Sequence, residues 1–141
     1  VKAKEYLQQL PVLDMKINLK LKELEALKVK LIGVGGVDYS NDRVQTSPQN
    51  AANFTEILHN IECLENEINT DIDKLVNKRH CIINQINELQ NVQYIEILYK
   101  RYVEYKDLKK IAKEMEYTYD YIRKIHVKAL QNFEKRHTIA H

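Results

Sequence analysis

Helix breakers are almost missing from this chain, and where glycines occur they fall together. The three glycines are Gly33, Gly35 and Gly36, and the two prolines are Pro11 and Pro48. Elsewhere leucine and isoleucine recur at intervals of three and four among lysine and glutamate, residues that lose little on entering a helix. Such a chain is expected to be all-α, built from long helices that each bury one apolar stripe. Apolar residues make up 44% of the 141, enough for one ordinary domain or two small ones.

The first stripe joins Leu7, Leu10, Leu13, Ile17, Leu21, Leu24, Leu27 and Leu31 and predicts one long helix, with a kink or fresh start near Pro11, which lacks a backbone donor. Residues 33–52 then break the period with the glycines and a cluster of turn formers, a longer connection than a compact domain ordinarily uses. No Gly-Lys-Ser/Thr follows the glycines, so they do not make a phosphate loop. Ser47 and Pro48 read as an N-cap and first helical position, with Asn53 and Glu56 offering a second start. The second stripe follows as Phe54, Ile57, Ile61, Leu64, Ile68, Ile72, Leu75, Arg79, Ile82, Ile86 and Leu89. Its extra four-residue step from Ile68 to Ile72 is a stutter, which locally unwinds a left-handed supercoil. Two long helices around a loop predict an antiparallel, coiled-coil-like hairpin over residues 1–90. Each stripe is too narrow to be buried alone, so the hairpin closes on itself, packs on the C-terminal part, or forms a homodimer. Arg79 on the seam leaves room for a specific partner, or lays its stem along the seam with its head in water.

After the polar break from Asn87 to Asn91, residues 91–136 read as a second domain and 137–141 as a tail. Val92, Ile95, Ile97, Leu98, Tyr102 and Val103 predict a short helix ending near Tyr105. Asp107 caps a second one through Leu108, Ile111, Ala112 and Met115; Thr118 caps the last, with Asp120 in its first turn. On that last helix Ile122, Ile125, Ala129 and Phe133 share an inward face. Asp120, Lys124, Val127 and Gln131 lie opposite, flanked by Arg123 and Lys128. Two short helices around a tight break, the second with long donors outward, make the layout of a helix-turn-helix three-helix domain reading the major groove of DNA. Lys109, Lys110 and Lys113 are placed to meet phosphates. Charge agrees in sign: residues 91–141 hold 11 basic against 7 acidic side chains, whereas 1–90 hold 11 against 13.

Other chemistries find little footing. Cys63 and Cys81 lack any framework spacing and read as reduced, partly buried thiols. His59 and Cys63 stand four apart, as do His137 and His141, but each pair offers only two ligands, so no metal site is expected. Cys81 beside His80 has no third group to complete a nucleophile, and no acid–base pair assembles, so neither an enzyme nor a cofactor is expected. The tyrosines at 94, 99, 102 and 105 read as packing residues with wet hydroxyls. No apolar run approaches the roughly 20 residues of a membrane span, and the opening is charged too regularly for a signal peptide; the expectation is a cytoplasmic protein.

The run Ile111-Ala112-Lys113-Glu114-Met115, then Thr118, then Ile122-Arg123-Lys124-Ile125-His126-Val127-Lys128-Ala129-Leu130 resembles the fourth conserved region of sigma-70-type factors. The likeness covers about residues 92–134. More closely, the whole layout is similar to small phage-encoded sigma-like regulators: a helical hairpin, a loop like Asp42-Arg43-Val44-Gln45-Thr46-Ser47-Pro48, the run Leu98-Tyr99-Lys100-Arg101-Tyr102, then the region-four-like motif. The resemblance implies a phage or prophage transcription regulator that acts at promoter DNA with the host's bacterial RNA polymerase. It places base-reading positions on Tyr119, Asp120, Arg123 and Lys124. Two positions depart from the pattern. Glu116 stands where the turn commonly holds glycine, and Tyr119 replaces a basic residue. Nothing resembles the sigma region that melts the −10 element, which implies a helper of polymerase rather than a complete sigma factor.

The alternative is a helical protein–protein interaction or assembly module that binds no DNA. Burial of Arg123, Lys124 and Lys128 against the hairpin would favour it; exposure leaves the DNA reading open.

Overall fold

The computed structural model describes residues 2–35 and 48–137, with side chains for 2–33 and 51–137. It is all-α. The elements are α1 (Lys2–Leu7), α2 (Gln9–Gly35), α3 (Pro48–Asn87), α4 (Val92–Leu98), a π-helical turn (Tyr99–Val103), α5 (Leu108–Met115) and α6 (Tyr119–Arg136). The expected connection 33–52 is narrower than its composition suggests, because α2 runs through Gly33 and α3 begins at Pro48, the position that suits proline's fixed φ. The intervening residues 36–47, with the expected Ser47 cap and most of the sigma-like loop, lie outside the described residues, as do 138–141 of the tail. Among the described residues no helix is long and apolar enough to cross a membrane.

The break near Pro11 falls three residues earlier, at Gln8 between α1 and α2. Proline crowds the carbonyl four residues before it, here Leu7, so the chain turns there and leaves Pro11 in the first turn of α2.

Two compact units emerge, dividing between 14 and 15 and between 73 and 74 rather than at the polar break near 90. The break shows where the chain turns, but which helix ends share a core depends on contacts far apart in sequence.

One unit, Met15–Asp73, is built from parts of α2 and α3. Leu24, Ile57, Ile61, Leu64 and Ile68 form its seam, with Leu27 and Leu31 packed against them. Lys20 Nζ lies 2.6 Å from Asp71 and 3.8 Å from Glu67, while Leu27 and Lys30 line a groove with Asn53 and Asn60. Low numbers on α2 therefore meet high numbers on α3, and the two stretches run antiparallel. Three stripe residues of this unit differ from expectation: Leu21 is 43% exposed, Ile72 39% and Phe54 37%. A seam between only two helices covers a narrow arc, and these side chains lie at its margin.

The other unit, residues 2–14 and 74–137, packs in three dimensions. Ala3, Leu7 and Leu10 meet Ile82 and Ile86 from α3, Leu89 just beyond its end, Leu98, Tyr102 and Val103 from α4 and the π turn, and Ala129, Leu130 and Phe133 from α6. A second cluster, Ile97, Ile111, Ala112, Ile122 and Ile125, joins α4, α5 and α6. Arg79, expected on the seam, is exposed.

Candidate nucleic-acid interface

The site begins with two caps. The Asp107 carboxylate accepts from Lys110 N at 2.7 Å and starts α5; the Thr118 hydroxyl accepts from Tyr121 N at 3.2 Å and starts α6. Each cap answers one orphan donor of a helix start and contributes about 1 kcal/mol. Between the helices Glu116 takes the left-handed conformation, φ 61° and ψ 39°, and Tyr117 N bonds back to Ala112 O at 2.9 Å. That closes α5 as glycine would, at a steric cost glycine avoids.

The apolar face of α6 follows the expected period, with Ile122, Ile125, Ala129 and Phe133 buried. It is wider than expected, because His126 and Leu130 are buried too. His126 Nε2 shares a 2.8 Å hydrogen bond with the Tyr102 hydroxyl, and the two rings stack with centroids 5.7 Å apart. Burial, with the nearby positive charges of Arg101 and Lys4, pushes the imidazole down to about 4, so it is neutral near pH 7. Burial raises the Tyr102 phenol to about 12. The wet hydroxyl expected of Tyr102 is thus corrected: it is a dry anchor joining α6 to the π turn.

The π turn positions the segment leading to Asp107. Glu104 N bonds to Tyr99 O, Lys106 N to Lys100 O at 3.0 Å, and Arg101 donates to Lys106 O at 3.1 Å. Tyr105 sits at φ 61°, another left-handed residue. Glu114 receives Lys106 at 2.9 Å and Lys100 at 3.2 Å, and these lysines hold its carboxyl below the usual carboxylate range.

All eight candidate DNA-binding residues, Tyr119, Asp120, Arg123, Lys124, Lys128, Lys109, Lys110 and Lys113, are exposed. Arg123 donates to Asp120 at 2.9 Å, a solvated i,i+3 pair contributing under about 1 kcal/mol and easily exchanged for another acceptor. Lys109 Nζ lies 5.8 Å from the centre of the Tyr119 ring, linking the two helices across their break. The sequence reading missed two neighbours. Tyr117 and Tyr121 are exposed with ring centroids 4.8 Å apart, and Tyr121 exchanges hydrogen bonds with Gln93 at 3.3 and 3.4 Å. Their signal was available: three tyrosines at alternate positions around a cap put aromatic surface at a helix start.

The remaining candidates stay apart. Cys63 and Cys81 are exposed rather than partly buried, since both stand on the water side of α3. Cys63 Sγ lies 3.6 Å from His59 Nε2, but no group of three metal-ligating side chains occurs among the described residues, and His141 lies outside them. Comparison with protein-family models, with curated proteins and with solved structures gave no match for this chain.

Proposed function

We propose that the protein is a DNA-binding transcription regulator that docks α6 in the major groove, acting at promoter DNA together with bacterial RNA polymerase in the cytoplasm of the host. The observation that carries this reading is the solvent face of α6: Asp120, Arg123, Lys124, Val127 and Lys128 are exposed opposite a buried face, with Lys109, Lys110 and Lys113 exposed on the preceding helix. A groove about 12 Å wide admits one helix, and Arg and Lys near its N-terminus reach guanine acceptors there. Asp120 holds Arg123 in place before docking and is itself suited to accept from a cytosine amine. The α5 lysines supply phosphate contacts that fix register without carrying sequence. The sigma-like resemblance of residues 92–134 motivates the polymerase partner and a phage or prophage setting.

The test is selection of bound duplexes from a random pool, followed by fluorescence anisotropy with parent and variants. Arg123→Ala is expected to lose about 1–3 kcal/mol of discrimination at one base position, and Lys110→Ala to weaken all sequences alike while reducing the salt slope by about one. An Arg123→Ala protein that binds the selected site as tightly and as selectively as the parent would refute the reading head. Failure of the parent to retain any duplex would instead favour a helical interaction module.

A further inference from the structure

The outward face of α6 carries an apolar side chain along its middle line. At 100° per residue, Asp120, Lys124, Val127 and Gln131 fall within about 30° of one line, and the buried set Ile122, Ile125, Ala129 and Phe133 lies opposite. Val127 is 48% exposed, whereas the other β-branched residues of α6, Ile122 and Ile125, are buried. A β-branched residue on the water side of a helix is a weaker helix former than lysine or glutamate, so local folding does not require it there. Its exposed neighbours three and four positions away are Arg123, Lys124 and Gln131, and two of these are cations. The exposed tyrosines do not extend it into a patch. Tyr119 and Tyr121 stand on the first turn, about a quarter turn to either side of Asp120, and Val127 is about 9 Å or more further along the axis.

That setting selects among occupants. A protein interface gathers several apolar side chains into a desolvated centre, and one valine among long polar side chains supplies no such centre. A duplex is the reverse: its phosphates are anionic throughout, and its major groove carries single apolar groups, the C5-methyls of thymine, between hydrogen-bonding base edges. We propose that Val127 is a specificity-determining residue that packs on a thymine C5-methyl in the major groove. Thymine recognition rests on the docking of α6 in that groove and adds to it the base that this position prefers. Spacing narrows the target further. Val127 follows Arg123 by four residues, about 6 Å along the helix axis, and base pairs follow one another by about 3.4 Å. The thymine therefore lies within about two base pairs of the guanine that Arg123 meets, on either strand. Because only aliphatic carbon makes the contact, it separates thymine from uracil, which differs from it by that methyl alone, as well as from cytosine.

The experiment takes the duplex selected by the parent protein and replaces its thymines by uracil one at a time, reading Kd by fluorescence anisotropy for the full chain and for Val127→Ala. At one position, within about two base pairs of the base whose preference Arg123→Ala loses, the parent is expected to bind the uracil form about fourfold more weakly, the worth of one buried methyl group. Val127→Ala is expected to bind the thymine and uracil forms of that position alike. Its helix content by circular dichroism should be unchanged, because the position is exposed and alanine favours the helix. A parent indifferent to every uracil, or a Val127→Ala protein that keeps the fourfold loss, overturns the thymine contact while the docking of α6 stands. A parent that retains no duplex overturns both.

Discussion

The two compact units bury their apolar side chains to different depths. The ten largest side chains under 2% accessible, among them Tyr102, Phe133, Leu7, Ile86, Ile111 and Ile122, all belong to residues 2–14 and 74–137. No apolar side chain described in Met15–Asp73 goes below 4%. The difference is one of dimension: helices arriving from several directions enclose a side chain, whereas two helices side by side always leave it a flank. A core of the first kind holds a surface site rigid, and the candidate DNA-reading face is built on it; a seam of the second kind leaves its flanks exposed.

Core truncations give the sharpest break between the units. Phe133→Ala is expected to cost about 3–5 kcal/mol, because its ring is fully enclosed. Leu64→Ala, at 7% accessible on the seam, is expected to cost about 2 kcal/mol, since neighbouring side chains and water can occupy the space. Near-ultraviolet dichroism separates the effects, as eight of the nine tyrosines lie in the Phe133 unit. Equal losses for the two variants would mean that the seam is closed on all sides.

A smaller effect follows from His126. Its folded-state value is depressed to about 4 from an ordinary 6.5, so an unfolded chain takes up a proton that the folded chain refuses. Stability from this group is complete above about pH 6.5 and is lost as pH falls through 4, by about 3 kcal/mol in all. Urea unfolding followed through the tyrosines at pH 7 and pH 5 should show this slope, and His126→Leu should flatten it. A slope that survives the substitution would place the titrating group elsewhere. Helix content of Met15–Asp73, whose seam contains no histidine, should be less sensitive over the same window.

How much of this was legible beforehand depended on how local each feature is. The caps at Asp107 and Thr118, and the inward set Ile122, Ile125, Ala129 and Phe133, need only the helical period and a side-chain oxygen within three residues, so spacing revealed them. The pairing of His126 with Tyr102, 24 residues away, has no local signature, and a lone histidine near an apolar stripe reads like any polar flank. The π turn was equally hidden, because its extra residue leaves the apolar period almost intact. The place of Ala3, Leu7 and Leu10 beside Phe133 depends on contacts spanning most of the chain. Exposure of the candidate DNA-binding residues followed from their phase relative to the apolar face; the Lys109–Tyr119 approach did not, since it depends on how α5 and α6 cross.

Cap removal comes next in size. Asp107→Ala is expected to lose about 1 kcal/mol, seen as earlier thermal loss of the tyrosine signal, because Lys110 N is left without its acceptor. Thr70→Ala, within the other unit, removes only a 3.0 Å bond to Asn66 O on an exposed face. That helix-interior carbonyl already has its backbone donor, so the expected change is within about 0.5 kcal/mol. A loss at position 70 as large as at 107 would show that α3 depends on side-chain support of its backbone.

The smallest effect is the most diagnostic, because it should change sign between two residues with the same φ. Glu116 and Tyr105 both lie at φ 61°, where a side chain crowds the backbone and glycine does not. Glu116 is exposed, so Glu116→Gly relieves the crowding and removes little; part of the gain is offset by the added freedom of the unfolded chain. A net stabilisation of about 0.5 kcal/mol is expected, with base recognition unchanged if the α5–α6 crossing is already set by the Ile111, Ile122 and Ile125 cluster. Tyr105 is different, because its side chain keeps contacts at 38% exposure of the residue and its phenol is pushed up by burial and by Asp14 alongside. There Tyr105→Gly removes packing worth more than the strain it relieves, and destabilisation of about 1 kcal/mol is expected. Thermal melts of both variants decide the matter: stabilisation at 105, or destabilisation at 116, would mean that backbone conformation rather than side-chain contact sets the worth of these two turns.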